Sequence, residues 1–488
     1  MPTFTCDLSQ SPQHLEHHWE HTVGSGHAPL ALRADWQRQL ERCHQELGFK
    51  HVRFHGLLSD PMNTLIDHGG ELLYSFFNAD QIMDFLLSIG MRPFVELSFM
   101  PAAIAAGSKT VFSYRSIVTP PTEYAQWASL MEKLISHWTD RYGVKEVRRW
   151  FFEVWNEPNI EHFWTGTQDD YFRLYRHTVE AIKGVDADLR VGGPATAANG
   201  WIEPFLNFCD AHDLAADFVT THYYPTDAFG EVGAPTEEKL ADSSPDIMAR
   251  RAQEAHESVR GRPLYYTEWN IASNPRHRLH DMPFAAAFAT YIIMTVADYV
   301  QGYSFWTFSD IFEELYFPSE PFHGGFGLLT LHGVPKPVYR AFQLLHRLGD
   351  RQYTAQGAHE TVTVWPVARR RREGEGDPRF ESLTLLMVNL AMPQHPIQTE
   401  IVELVLEQAP HPAAAWVEKI DAEHANPRRV WEEEMDRSHY LQPHQVQALV
   451  AASQMRRESI PVSHEEGTLR LQLSLPPQSV AAVTVEFA

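Results

Sequence analysis

From about residue 22 to residue 350 the chain alternates short apolar runs with longer amphipathic stretches. Eight runs stand out: Leu30–Leu32, His51–His55, Pro93–Phe99, Trp150–Trp155, Arg190–Pro194, Phe218–Tyr224, Leu264–Trp269 and Tyr303–Phe308. Helical patterns lie between them, among them Asp80–Gly90, Tyr124–Tyr142, Tyr171–Val185 and Pro283–Val300. Strands that alternate with helices predict a parallel sheet with crossover helices, and eight units in one block predict a (β/α)8 TIM barrel over residues 22–349. The first strand is the least regular of the eight, because Val23-Gly24-Ser25-Gly26 before it reads as part of an irregular hairpin.

Past residue 350 the rhythm changes. Thr361–Val367, Leu383–Leu390, Glu400–Leu406, Thr468–Leu475 and Val480–Phe487 alternate with turn residues, and no helix is expected before Gln442–Gln454. This predicts an accessory antiparallel β-sandwich over residues 350–488 with a helical insertion. Residues 1–21 are expected to pair with it, with Thr3–Leu8 as a strand in need of a partner. The basic run Arg369–Arg372 falls between two strands and reads as a solvated hairpin loop. Solenoid-period repeats and low-complexity sequence are absent.

Composition narrows the function. With 488 residues, 44% of them hydrophobic, the chain can bury a large core, and disorder is not indicated. A formal charge of -23 opposes nucleic acid and anionic membranes. Three cysteines, Cys6, Cys43 and Cys209, are too few and too scattered for a disulfide framework or a zinc site. No bilayer-length apolar run or secretory signal is visible, so the expected location is the cytoplasm unless a leader has been removed. Thirteen tryptophans suit stacking on sugar rings, although core packing accounts for most of them.

The chemistry is concentrated in Val154-Trp155-Asn156-Glu157-Pro158-Asn159 and Tyr265-Tyr266-Thr267-Glu268-Trp269-Asn270. Each reads as a strand ending in a glutamate, the place where barrel enzymes put catalytic groups. Two such carboxylates supply the acid and the nucleophile of glycoside hydrolysis. Strand parity puts Glu153, Trp155 and Glu157 on one face, and Tyr266 and Glu268 on one face of theirs. Glu153 would then lie deeper, paired with Arg53, with Glu96 competing for the same arginine; both acids read as structural. Asn156 is placed to bond the hydroxyl beside the anomeric carbon. His222 and Tyr224 face the same mouth and can orient the nucleophile, the alternative for His222 being a satisfied core histidine. Trp306 at the end of the eighth strand offers a platform for a sugar ring.

The chain resembles the family 39 glycoside hydrolases, specifically their bacterial β-xylosidases. The resemblance rests on Phe49–Leu58, Arg92–Glu96, the Trp-Asn-Glu-Pro-Asn segment, Val191–Pro194, the Thr-Glu-Trp-Asn segment, Phe305–Glu314 and Phe322–Gly327. It implies a retaining exo-glycosidase that releases xylose from the non-reducing end of xylo-oligosaccharides or β-xylosides, with Glu157 as acid/base and Glu268 as nucleophile. It also implies that Glu313 and Glu314 bind sugar hydroxyls, that His55, Phe112, Phe163, His222 and Tyr224 surround the sugar, and that no cofactor or metal is needed. The Tyr-Tyr-Pro-Thr-Asp stretch after His222 varies among relatives, and the oligomeric state stays open.

Rival readings are weaker. An arabinosidase is not separable from a xylosidase by sequence. An iduronidase-like enzyme would want cations for a uronate, where this chain offers Glu313 and Glu314. A dead carbohydrate-binding barrel would be expected to lack one glutamate, and both are present. His14, His17, His18 and His21 contain two i,i+4 pairs, yet a polar N-terminal turn explains them as well as a metal does. His-Gly-Gly-Phe-Gly lacks the Gly-x-Ser-x-Gly elbow of a lipase.

Overall fold

The structure is a computed structural model that describes residues 1–227, 234–370 and 381–488. Eight parallel strands close into a barrel: β2 (Thr22–His27), β3 (His51–His55), β4 (Arg92–Leu97), β5 (Phe151–Val154), β6 (Arg190–Thr196), β7 (Phe218–His222), β8 (Leu264–Trp269) and β9 (Gly302–Phe305). A helix follows each strand on the outside: α1 (Ala34–Leu47), α2 (Phe77–Ser88), α3 (Tyr124–Tyr142), α4 (Gln168–Val185), α5 (Ile202–Ala211), α6 (Ile247–Ser258), α7 (Pro283–Val296) and α8 (Pro337–His346). Strand β1 (Thr3–Asp7) lies outside the barrel.

The first barrel strand is not where the apolar pattern put it. Leu30–Leu32 belongs to a short 3-10 helix, Ala28–Leu32, with a proline in its first turn. The strand is the glycine-bearing Thr22–His27. A Cβ on Gly24 would lie 2.4 Å from Cε3 of Trp306, and one on Gly26 would lie 2.9 Å from the ring of Phe312. Those rings cover the strand, so it carries little apolar side chain of its own, and the pattern is hidden.

Inward side chains form layers, as parallel barrels require. Phe94, Phe151, Phe218 and Tyr265 make an aromatic floor, against which His21 packs, stacked on His51 at 4.6 Å. Above the floor lies an ionic layer of Arg53, Glu96 and Glu153, each fully buried. The C-terminal mouth of the barrel is above that.

After α8 the chain builds β10 (Val362–Arg369), β11 (Ser382–Asn389), β12 (Glu400–Glu407), β13 (Pro412–Ile420), β14 (Thr468–Leu475) and β15 (Ser479–Phe487). One sheet runs β10-β11-β15-β13; the other places β12 between β1 and β14. Strand β1 pairs with β12 in parallel, Thr3 opposite Glu403 and Asp7 opposite Glu407. Among the elements unseen in the sequence are the strand β13 and a short helix at Pro427–Glu433 ahead of the second helix, Pro443–Ala452. Of the basic run, Arg369 ends β10 and donates to the carbonyl of Arg347, while Arg371 and Arg372 lie outside the described residues.

Helix α7 is apolar nearly all round, which marks a helix buried on every side. It packs between the barrel and the face of the β10-β11-β15-β13 sheet turned away from the sandwich interior, where Tyr291 meets Trp365 at 6.0 Å. Trp365, Leu386 and Ile420 therefore belong to the same apolar cluster as the barrel core. Among the described residues, no helix is long and apolar enough to cross a membrane.

Candidate active site

The strand ends at the C-terminal mouth surround a cavity of about 790 Å³. His55, Phe112, Asn156, Glu157, Phe163, Tyr224, Glu268, Trp306 and Glu314 all line it. His222 lies just behind the wall with no exposure, and Glu313 turns away to bond Nδ1 of His27 at 3.0 Å.

Backbone irregularity delivers both glutamates. On β5 parity holds as far as Glu153; then Trp155 takes φ 73° and Glu157 φ 43°, the left-handed region that L-residues seldom occupy. Trp155 swings out to pack on Trp127 of α3 and Trp164, its indole donating to the carbonyl of Phe163. Glu157 is held by its own N–H, which donates to the carbonyl of Ala195 at 2.8 Å. On β8 the inward residues are Tyr265 and Thr267, while Tyr266 points out and bonds Asn199. A register shift between Tyr266 and Trp269 turns Glu268 into the mouth. Both parity assignments made from sequence thus fail at the residues where the strands are bent. Strain at such points is common in functional sites.

Arg53 organises the carboxylates. Its Nη1 donates to Glu268 Oε1 at 2.7 Å, its Nε to Glu153 at 2.5 Å, and its Nη2 to Asn156 at 3.0 Å, with Glu96 at 2.9 Å from Nη2. The hydroxyl of Tyr224 donates to Glu268 Oε2 at 2.9 Å. Burial would lift Glu96, but His55 and Arg53 beside it overcome this and hold it below the usual carboxylate range. The sequence showed Arg53 as a partner for Glu153; that it also grips Glu268 was not visible.

Glu157 has a different environment. Burial pushes its pKa up to about 7, with His55 and Arg53 opposing and Glu96 adding to the rise. Its Oε1 sits 2.9 Å from Nδ1 of His222. Burial also lowers His222 to about 4, despite the pull of Glu268, so the ring is neutral at pH 7. Glu314 is pushed well above 4.5 by burial and by Glu268, Glu157 and Glu96, and its Oε1 is buried with no hydrogen-bond partner. Both influences favour the neutral acid, which has a donor and an acceptor to offer, over the anion that its sequence suggested.

Sequence reasoning overlooked Thr267, Tyr114 and the rim residues Leu315 and Tyr316. Tyr114 stacks on His27 at 3.8 Å, in a loop with no period to read. Leu315 and Tyr316 line the mouth and are 45% and 74% exposed, the one signal being their place just after Glu313-Glu314. The N-terminal histidines disperse: His14 faces Glu16, His17 bonds Glu20, His18 is buried, and His21 is half-buried against the aromatic floor. Among the described residues, the histidine and carboxylate atoms close enough to share a cation are those of Glu157, His222 and Glu268. Arg53 already supplies the positive charge there.

One ligand atom from each of these three lies within 4.8 Å of the others, so a carboxyl oxygen of Glu157 and one of Glu268 are no farther apart than that. Two carboxyl groups at this spacing, one raised towards neutrality and one gripped by an arginine, can divide acid and nucleophile between them.

Comparison with known proteins identifies the family. The family model for glycosyl hydrolases family 39 matches residues 5–469. A β-xylosidase of Caldicellulosiruptor saccharolyticus is 45% identical over 475 residues, 96% of this chain and 95% of that one. A β-xylosidase of Geobacillus stearothermophilus is 33% identical over 499 residues, 98% of this chain and 94% of that one. The crystal structure of a monomeric β-xylosidase from Caulobacter crescentus superposes with a TM-score of 0.85 at 30% identity, covering 100% of both chains. The chain belongs to glycosyl hydrolase family 39 and is a glycoside hydrolase.

Proposed function

We infer that this chain is a retaining exo-β-xylosidase, with Glu157 as acid/base and Glu268 as nucleophile. The observation that carries the reading is the short separation of the two carboxyl oxygens, no more than 4.8 Å. Retaining enzymes hold their carboxyl groups about 5–5.5 Å apart, whereas inverting enzymes leave about 6.5–9.5 Å for a water. The roles follow from the surroundings: Glu157, raised to about 7, keeps a proton to give, and Glu268 is paired with Arg53.

In the first step Glu268 attacks the anomeric carbon as Glu157 protonates the leaving oxygen. In the second, Glu157 takes a proton from water, which attacks the same carbon and releases the sugar with its original configuration. Asn156, held by Arg53, is aimed at the hydroxyl beside the reacting carbon. Trp306 forms the platform under the ring, and Glu314 and His55 meet the far hydroxyls. Among the described residues no lysine or arginine lines the cavity, while Glu157, Asp227, Glu268 and Glu314 do, a lining that favours a neutral sugar over a uronate. The two curated relatives named above are β-xylosidases, which supports xylose as that sugar.

The test is proton NMR of an aryl β-xyloside during turnover: β-xylose should appear first and then mutarotate. Release of α-xylose as the first product would overturn the retaining reading. In Glu157→Ala, azide should rescue a substrate with a good leaving group and give the β-xylosyl azide. The α-azide from that variant would instead mean that the two roles are reversed.

A further inference from the structure

A three-residue hydrogen-bond chain leads away from the acid/base. Thr267 Oγ1 donates to Glu153 Oε1 at 2.7 Å, and Glu153 is itself ion-paired with Arg53. A threonine hydroxyl has a single hydrogen, so the same oxygen can only accept from Nε2 of His222, 3.1 Å away. Nε2 therefore carries the ring proton. In a neutral imidazole the other nitrogen is then bare, and it is Nδ1 that lies 2.9 Å from Oε1 of Glu157.

We propose that Thr267 is a positioning residue that locks His222 as the Nε2–H tautomer, so that Nδ1 accepts a hydrogen bond from the carboxyl O–H of Glu157 and opposes its ionisation. The consequence serves both steps. In the resting enzyme the carboxyl proton is held on Oε1 facing His222, and half a turn about the Cγ–Cδ bond presents it to a leaving group. In the second step the lone pair of Nδ1 faces a carboxylate, which makes Glu157 a stronger base. Other groups also bear on Glu157 and His222: Arg53 and His55 from β3, Glu96 from β4, Glu153 from β5, Tyr224 and Asp227 after β7, Glu268 on β8 and Glu314 after β9. Of these, Glu153 is the one bonded to Thr267 and loses that bond when Thr267 is replaced by valine, whereas Thr267→Ser keeps it.

Thr267→Val keeps the shape and removes the acceptor. An Nε2–H left unpaired in the core is unfavourable, so the ring should switch to Nδ1–H and donate to Glu157, favouring its ionised form. The experiment is the pH profile of kcat/KM for a phenyl β-xyloside, whose poor leaving group needs the acid. The basic limb should move down by on the order of one pH unit in Thr267→Val, and Thr267→Ser should restore it. An unmoved basic limb in a folded Thr267→Val would overturn the proposal. Should that variant fail to fold, 15N NMR of the resting enzyme decides, with His222 assigned by its loss in His222→Gln. Nε2 protonated supports the proposal and Nδ1 protonated sinks it. The proposal rests on Glu157 being the acid/base; the NMR outcome does not depend on turnover, so a parent without xyloside activity would refute that assignment and leave the tautomer decided separately.

Discussion

Glu314 is the residue whose character the structure changes most. In the sequence it stood beside Glu313 as one of a pair of anions. In the structure the pair splits: Glu313 bonds His27, and Glu314 is buried against three other carboxyl groups. Its folded pKa lies above 4.5, so the stability linked to it is full below that pH and is lost as pH rises towards the folded value. Glu314→Gln keeps the shape, can donate and accept, and cannot ionise. It should raise the melting temperature, and by more at pH 8 than at pH 5. For activity, Glu314→Ala should lower kcat/KM on an aryl xyloside by about 1–3 kcal/mol, one hydrogen bond's worth, while Gln should lose less. A Gln variant as damaged as Ala, or no more stable than the parent at pH 8, would show that Glu314 is charged after all. The two glutamates proposed as acid/base and nucleophile stand out in the sequence because a strand that ends on an acid is a local pattern. The protonation of Glu314 does not, since it depends on neighbours contributed by β4, β5 and β8.

Among the elements, β2 carries the most exacting local requirement. Gly24 sits under Trp306 with room for no more than a hydrogen, and the carbonyl of Phe305 lies 3.1 Å from where a Cβ would be. Gly24→Ala must displace the indole that floors the proposed sugar site. The expected result is a fall in kcat/KM of on the order of tenfold or more, a misplacement penalty, expressed chiefly in KM, with most of the stability retained. Kinetics indistinguishable from the parent would mean that the platform yields without consequence. The same crowding explains why the strand escaped the apolar pattern. Strands such as Phe151–Val154 and Leu264–Trp269 bring their own large side chains and so announce themselves. A strand covered by a neighbour's ring does not, and the nearest true apolar run, Leu30–Leu32, drew the assignment eight residues too far. In the sandwich, the strand Pro412–Ile420 escaped because three successive alanines dilute its alternation.

At the scale of the whole molecule, the interior holds histidines that must stay uncharged. Burial lowers His18 to about 3 and His51, His222 and His280 to about 4, and holds His21 well below 6.5. A depressed histidine leaves stability intact above its ordinary 6.5 and drains it as pH falls towards the folded value, at up to about 1.4 kcal/mol per pH unit for each. Glu20, held near 2 by His17 and His346 against its burial, adds a further loss below 4.5. The melting temperature should therefore fall steeply between pH 6.5 and pH 5 and keep falling below it. A flat profile over that interval would mean that these rings are hydrated. Because α7 joins the barrel core to the sandwich, both parts should melt in one transition.

The pairing of β1 with β12 sets a schedule for synthesis. Thr3 and Glu403, joined side chain to side chain, are 400 residues apart. At about 5–20 residues per second a ribosome takes roughly 20–80 s to travel that distance. Until Glu403 is made, Phe4, Cys6 and Leu8 have no sheet to enter, while every barrel strand, the last ending at Phe305, is made within that interval. Residues made early thus wait for partners made 400 positions later, and until then they form a sticky segment that a chaperone can hold.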